Sequence, residues 1–404
     1  MCCGSILRQT FVDLGMSPLC ESYVPLERLN HMEPFYPLRV YVCDRCFLVQ
    51  LEEYVSPEEI FTEYAYFSSY ADSWVEHMRR YAETIAKRLD LGRKSLVIEV
   101  ASNDGYLLQH FVGMGIPVLG IEPAANVAKV AIDKGIPTLV KFFEEATARE
   151  LVAAGKQADL VCGANILAQV PRLNDFVKGL ELLLKPGGVV TVEFPHLMRL
   201  MAENQFDTIY HEHFSYFSFI AAEDVLARQG LRIFDVDKLP THGGSLRIYA
   251  CRIGDATKPV MENVLALRQE EKAAGLLRIE TYARFAEQVK ETKRKLLAFL
   301  IDARRAGKTI VGYGAPGKGN TLLNYCGIRT DFIDFTVDRN PYKQGKFLPG
   351  THIPIHAVER IREAQPDYVL ILPWNFKDEI MQQMQYIREW GGKFVVPIPA
   401  VQVL

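Results

Sequence analysis

No stretch of this chain is apolar for long enough to cross a bilayer, and no basic run followed by an apolar core stands at its N-terminus. The expectation is a cytoplasmic protein with no membrane partner. Positive charge is not in excess: 46 Lys and Arg against 49 Asp and Glu leave a formal net charge of -3. This argues against nucleic acid as the principal partner, because neutralising phosphates takes a basic surface. A disulfide-like framework is missing too, since Cys162, Cys251 and Cys326 sit singly in apolar segments. Short repeats and low-complexity tracts are absent. What is present is ordinary for a globular protein, 49% hydrophobic and 24% charged, and 404 residues suit two to three domains.

The organisation changes along the chain. Residues 1–70 are rich in aromatics and turns, with Cys3 near one end and Cys43-Asp-Arg-Cys46 near the other. That pattern suits a small module held by metal rather than by a large core. From about 71 to 253 apolar runs at Ser95–Val100, Pro117–Ile121, Asp159–Cys162 and Val189–Phe194 alternate with amphipathic stretches, the pattern of a parallel, doubly wound α/β domain. After Gly254 the apolar positions Ile279, Tyr282, Phe285, Val289, Leu296 and Leu300 recur at helical spacing, which predicts one or two long helices packed by that stripe. Strand and helix signals then alternate again through Thr309–Gly312, Phe332–Val337, Tyr368–Leu372 and Phe394–Pro397, so 254–404 is expected to hold these helices and a second, smaller α/β domain.

Two loops suggest ligands. Glu99-Val-Ala101-Ser-Asn103-Asp104-Gly105 follows a strand and opens a helix, the place where α/β folds bind nucleosides, with Ala101 and Asn103 where glycine is more usual. Glu122 ends the next strand, where a carboxylate can accept both ribose hydroxyls, and Asn165 ends the fourth. Leu184-Lys-Pro-Gly-Gly188 followed by Val-Val-Thr-Val-Glu193 reads as a helix end, a tight turn and a strand, where class I methyltransferases carry their fifth strand. Together these features resemble an S-adenosylmethionine site. Further on, Gly312-Tyr-Gly314-Ala-Pro-Gly317 with Asp338 about twenty residues later fits a dinucleotide-binding unit, and read alone it suggests an NAD(P)-dependent nucleotide-sugar oxidoreductase.

The densest chemistry lies in Tyr210-His211-Glu212-His213. In a straight strand at most two of these side chains share a side, whereas a turn brings more together. Histidine suits proton abstraction near neutral pH. With Phe67-Ser-Ser-Tyr70, the Glu99–Leu108 run, Tyr210–Phe217, His242-Gly-Gly-Ser-Leu-Arg247 and Gly314-Ala-Pro-Gly-Lys-Gly-Asn-Thr321 in one order, the chain resembles the nucleotide-sugar C-methyltransferases that build branched deoxysugars, such as the 3-C-methyltransferases of TDP-4-keto-deoxyhexose pathways.

That resemblance implies a small N-terminal zinc module, a class I, Rossmann-like methyltransferase domain and a C-terminal Rossmann-like α/β domain that helps hold the substrate's nucleotide. It implies a base, His213, that forms an enolate beside a sugar ketone, with Tyr210 and Glu212 orienting the substrate or stabilising the enolate oxygen. S-adenosylmethionine would lie against Glu99, Ala101, Asn103, Gly105, Glu122 and Asn165. The sugar nucleotide would meet Gln169, His242, Arg247, Gly314, Lys318, Asn320 and Asp338. Family members commonly carry histidine where this chain has Gln169, and glutamine cannot titrate. His211 has no assigned role, and Cys20 is expected to be a small buried hydrophobe. Zinc is expected on Cys3, Cys43 and Cys46. The family's first cysteine pair is spaced Cys-x-x-Cys, yet here Cys2 adjoins Cys3, which leaves the fourth ligand open. A monomer is expected.

Overall fold

The computed structural model describes residues 2–61 and 67–404, so Met1 and five residues of the predicted zinc module, 62–66, lie outside it. Two compact units form. One gathers Met1–Leu7, Cys43–Met198 and Phe214–Leu277, and the other Arg8–Val42, Arg199–His213 and Arg278–Leu404. The first seventy residues therefore contribute to both. Among the described residues no helix is long and apolar enough to cross a membrane.

The first unit is built on seven strands: β1 (Val97–Val100), β2 (Val118–Ile121), β3 (Thr138–Leu139), β4 (Ala158–Ala164), β5 (Leu184–Pro195), β6 (Leu231–Leu239) and β7 (Ser245–Arg252). Their spatial order is β6-β7-β5-β4-β1-β2-β3. The first five run parallel. β7 is antiparallel to both β5 and β6, so the parallel pattern read from the four apolar runs does not extend to this edge, where Gly243 and Gly244 at φ 86° and 117° let the chain turn straight back. β5 also begins earlier than expected, at Leu184, because Gly187 at φ 76° carries the backbone through the Pro-Gly-Gly turn without ending the strand.

Alternation along the strands divides the core in two. Ile98, Val100, Leu119, Ile121, Val161, Val190 and Val192 join one apolar cluster. Val97, Val118, Leu160, Cys162 and Val189 join another, with Trp74, Met78, Tyr81 and Ile85 of helix α1 (Asp72–Arg88). Successive side chains point to opposite faces, so both faces are covered and the strands read as continuous apolar runs. Helices α2 (Phe219–Arg228) and α3 (Glu262–Ala273) are pinned by one carboxylate: Glu271 accepts the Phe219 and Ile220 amides at 2.6 and 2.9 Å and lies 2.6 Å from His196 Nε2. Both Glu271 and His196 are buried, and the carboxylate meets the positive N-terminus of α2.

The second unit pairs Gln9–Ser17 antiparallel with Tyr36–Val42. Its larger sheet comprises β8 (Ile310–Tyr313), β9 (Thr336–Val337), β10 (Ile355–His356), β11 (Tyr368–Ile371), β12 (Lys393–Val396) and β13 (Gln402–Val403). The order is β10-β9-β8-β11-β12-β13, parallel except for β13. The helical stripe belongs to Ile279–Ala283 and to α4 (Phe285–Arg305), and it packs as expected: Tyr282, Phe285, Val289, Leu296 and Leu300 are buried, while Ile279 is half-buried. Phe285 stacks on Phe11, ring centroids 4.6 Å apart. Helix α5 (Gly317–Cys326) follows the glycine loop after β8.

Candidate active site

In the first unit the strand order reverses beside β1, and its loop opens where α/β sheets bind ligands. Ala101, Asn103, Gly105 and Asn165 all take positive φ, at 56°, 49°, 79° and 61°. The loop thus spends left-handed conformation on two residues other than glycine, Ala101 and Asn103, at positions where glycine is more usual. The strain is held by side chains. Glu122, buried, accepts the Asn103 amide at 3.0 Å and the Ala124 amide at 2.9 Å. Burial pushes its carboxyl up to about 7 against the pull of those two amides. Asn103 Oδ1 accepts the Ser68 amide at 2.9 Å and Asp104 Oδ2 that of Ser69 at 3.2 Å, so the Phe67–Tyr70 motif clasps this loop.

Buried polar atoms without a hydrogen-bond partner among the described residues cluster here: both Glu99 carboxylate oxygens, Ser102 Oγ, Asp104 Oδ1 and Asn165 Oδ1. Burial holds the Glu99 carboxyl well above the usual carboxylate range. Orphaned acceptors beside a left-handed loop fit a ligand that brings hydroxyls and an ammonium group, as S-adenosylmethionine does.

Next to this loop stands an ionic network that the sequence reading missed. Glu193, at the end of β5, accepts from Arg247 Nη2 at 2.5 Å and Thr241 Oγ1 at 2.7 Å, and its Oε2 lies 3.0 Å from His77 Nε2. That ring nitrogen is also 2.9 Å from Arg247, so it donates to the carboxylate when protonated and otherwise accepts from the guanidinium. Burial alone would raise the Glu193 pKa; His77 and Arg247 outweigh it and hold the carboxyl at about 2. Arg247 is buried, committed to Glu193 and 4.2 Å over the Tyr81 ring. Thr241 opens the turn that sets His242 at φ 52°, and His242 Nε2 lies 2.9 Å from the Asn165 amide nitrogen, with its ring 4.9 Å from Trp74. Gln169 ends a short 3-10 turn after β4, half-buried.

In the second unit the Tyr210–His213 segment is a turn, not a strand, closed by the His213 amide on the Tyr210 carbonyl at 2.9 Å. The Tyr210 and His213 rings lie 4.1 Å apart. His213 Nδ1 is 2.9 Å from the Thr208 carbonyl, which accepts only, so that nitrogen carries the proton and Nε2 is left as the basic lone pair. Burial, opposed by the Thr208 carbonyl and aided by the Lys318 charge, lowers the imidazole pKa to about 4. His211 finds a packing role: its Nε2 is 3.1 Å from the Pro37 carbonyl and its ring meets Tyr36 edge-on. Cys20 is buried as expected, and its thiol donates to Glu212 Oε1 at 3.5 Å.

Lys318, in the first turn of α5, donates to Asn375 Oδ1 at 2.8 Å and lies 4.6 Å from the Trp374 ring. Trp374 donates to Asp207 at 2.7 Å. Asn320 donates to the Cys20 carbonyl at 2.5 Å. The glycine loop does not present itself to a dinucleotide. The Ala315 amide is taken by Asp338 Oδ2 at 2.7 Å, whose other oxygen accepts from Asn340. The Ala315 carbonyl is taken by Tyr23 and Lys343 at 2.6 and 2.9 Å. A Cβ on Gly314 would come within 2.6 Å of Pro373, and one on Gly317 within 2.8 Å of the Cys20 sulfur. The chain's own atoms fill the cradle.

The predicted metal ligands converge in the first unit. Cys3, Cys43 and Cys46 bring their sulfurs within 4.8 Å of one another, and Cys2, Cys46 and Asp224 form a second such group. Cys3 and Cys43 sulfurs are 3.5 Å apart, and all eight cysteines are free thiols. Thiolates at that spacing can share one tetrahedral zinc with bonds of about 2.3 Å. The donor set fits the ion, with Cys2 or Asp224 next in line.

A methyltransferase sheet with an acid-ended nucleoside loop, joined to a cysteine cluster and a second α/β unit, defines the class. Residues 1–61 match a family described as a zinc binding domain, 74–236 a methyltransferase domain and 240–399 a C-methyltransferase C-terminal domain. The chain belongs to the C-methyltransferase family and is an S-adenosylmethionine-dependent enzyme. It is 37% identical over 393 residues to the C-methyltransferase NovU of Streptomyces niveus, an alignment covering 97% of this chain and 93% of that protein. Among solved structures, an S-adenosylmethionine-dependent methyltransferase from Clostridium acetobutylicum overlays with a TM-score of 0.36 at 11% identity, covering 45% of this chain and 92% of its own. Magnesium protoporphyrin IX methyltransferase from Synechocystis gives 0.33 at 15% identity, covering 45% and 82%.

Proposed function

We propose that the enzyme methylates a nucleotide-linked 4-keto-deoxyhexose, with TDP as the nucleotide, at a carbon next to the ketone. C3 is favoured by the family resemblance, and C5 is the other carbon the ketone acidifies. The observation that carries this reading is the His213 ring. Its Nδ1 proton is committed to the Thr208 carbonyl, which leaves Nε2 unprotonated at neutral pH in a ring whose centroid lies 4.1 Å from that of Tyr210. Carbon methylation needs a carbanion equivalent, and a neutral imidazole with a fixed tautomer supplies the base that makes one from a ketone. Tyr210 polarises the carbonyl, and Glu212, held by Cys20, orients the sugar.

Glu99, Ala101, Asn103, Gly105, Glu122 and Asn165 would hold S-adenosylmethionine, which supplies an electrophilic methyl group. Gln169 and His242 hydrogen-bond the sugar. Gly314, Asn320 and Asp338 serve the substrate by shaping the loop that presents Lys318, and Arg247 serves it by fixing the turn that carries His242. The test is enzyme-dependent deuterium uptake from heavy water into a TDP-4-keto-6-deoxyhexose. Uptake beside the ketone that disappears in His213→Asn supports the reading; uptake that survives that substitution, or none with the unaltered enzyme, refutes it.

A further inference from the structure

Proton removal beside a ketone by a neutral imidazole turns an uncharged pair into an imidazolium and an enolate. The group that meets the new oxygen charge then governs the barrier, because a fixed donor in a dry site stabilises charge without reorganising. We infer that Lys318 is that group, its ammonium receiving the enolate oxygen while His213 takes the proton. The inference rests on the reading of Tyr210–His213 as the enolising segment.

Three observations support it. First, Lys318 is a cation without a carboxylate on it. Among the described residues its contacts are the neutral amide oxygen of Asn375 at 2.8 Å and the face of Trp374 at 4.6 Å, and neither neutralises it. Second, it is held in place. Trp374 is itself fixed by its indole N–H on buried Asp207 at 2.7 Å, and Lys318 sits in the first turn of the ten-residue α5, where the free amides add field of the same sign. Third, it stands against the chain that leads into Tyr210–His213: Thr321 of the same helix donates to the Ile209 carbonyl at 3.0 Å and Trp374 donates to Asp207 at 2.7 Å, and the Lys318 charge adds to burial in depressing the His213 imidazole. Burial lowers the Lys318 pKa, and Asp207, whose second oxygen is buried without a hydrogen-bond partner among the described residues, opposes that and favours the charged form.

In the step proposed, the C–H bond breaks, its proton passes to His213 Nε2, its electron pair forms the C=C bond, and the carbonyl π pair moves onto oxygen against Lys318. Reversal from solvent returns deuterium to the same carbon. The competing role for Lys318 is a grip on the substrate's diphosphate, which acts equally before and during the reaction and therefore affects binding alone.

The experiment measures exchange into a TDP-4-keto-6-deoxyhexose in heavy water with S-adenosylhomocysteine in place of the donor, alongside TDP affinity by calorimetry. For Lys318→Met we expect exchange at saturating sugar to fall about a hundredfold or more, the usual loss for one oxyanion donor, with TDP affinity within about twofold of the parent. Exchange within about threefold of the parent, with or without weaker TDP binding, overturns the inference. Lys318→Arg keeps the charge and guards against a folding defect: it should retain the parent melting temperature and recover at least about a tenth of the exchange, and an Arg variant that is folded yet as inactive as Met also overturns it. His213→Asn separates the two layers. Exchange that survives it refutes the enolising segment, whereas loss there together with normal exchange in Lys318→Met refutes the lysine role alone.

Discussion

Replacing Arg247 with methionine separates a structural guanidinium from a substrate-binding one. The side chain is buried, 2.5 Å from Glu193 Oε2, and 4.2 Å over Tyr81. Removing one partner of a buried ion pair leaves the other charge uncompensated, which costs about 3–5 kcal/mol. The pKa of Glu193 gives a second route to the magnitude. Its folded carboxyl sits at about 2 against an ordinary 4.5, so it binds fewer protons folded than unfolded. The stability from that difference is fully present above pH 4.5 and lost as pH falls toward 2, and it amounts to about 3 kcal/mol. Urea unfolding at pH 7, followed by circular dichroism, should show Arg247→Met destabilised by about 3–5 kcal/mol. The double variant with Glu193→Gln should lose much less than the two single losses together, because neither charge then remains stranded. The acid-side slope should flatten in Arg247→Met. A loss below about 1 kcal/mol, the range of an exposed pair, would refute this account, and a raised KM with unchanged stability would assign Arg247 to the substrate directly.

The remaining predictions concern base, donor and metal. With the His213 pKa at about 4, kcat/KM should stay flat from pH 8 down to about 5, where an ordinary histidine would already have halved it near 6.5. Because the folded imidazole binds protons less readily than the unfolded one, stability also falls as pH drops from 6.5 toward 4, so the limb is read only where the circular dichroism spectrum is unchanged. Half-loss between pH 6 and 7 would contradict the assignment. Glu122→Ala frees the Asn103 and Ala124 amides and removes the proposed ribose acceptor; S-adenosylmethionine affinity should fall about tenfold or more while sugar-nucleotide affinity holds, and equal loss of both would indicate a folding defect. Purified protein should contain about one zinc per chain, and Cys43→Ser should release it and lower the melting temperature; metal-free protein of unchanged stability would refute the site.

Much of the fold was legible because β1, β2, β4 and β5 are covered on both faces, which writes them as continuous apolar runs between helical stretches. The antiparallel strands β6 and β7 were less so, since Leu231–Leu239 mixes charged residues into its alternation. Of the site, the residues adjacent in sequence were legible: the loop from Glu99 to Gly105 and the segment from Tyr210 to His213 announce themselves by density. The Glu193 network did not, because His77 and Glu193 lie far in sequence from Thr241 and Arg247, and Arg247 reads as a substrate contact until the fold brings it to Glu193. Asp207 and Trp374, which hold Lys318, share that invisibility. Cys20 was read by its residue type alone, and only the fold brings its thiol to Glu212. The dinucleotide fingerprint was legible and misleading, for the spacing is right while Asp338, Tyr23 and Lys343 occupy the groups a cofactor would use.

Transfer of a carbon-13 methyl group from labelled S-adenosylmethionine to a TDP-4-keto-6-deoxyhexose, read by carbon NMR, tests the central claim most directly. The account predicts a new methyl signal coupled to a ring carbon next to the ketone, at C3, and no signal with His213→Asn. A label found on oxygen or nitrogen, or no transfer to the keto-sugar by the unaltered enzyme, would contradict it.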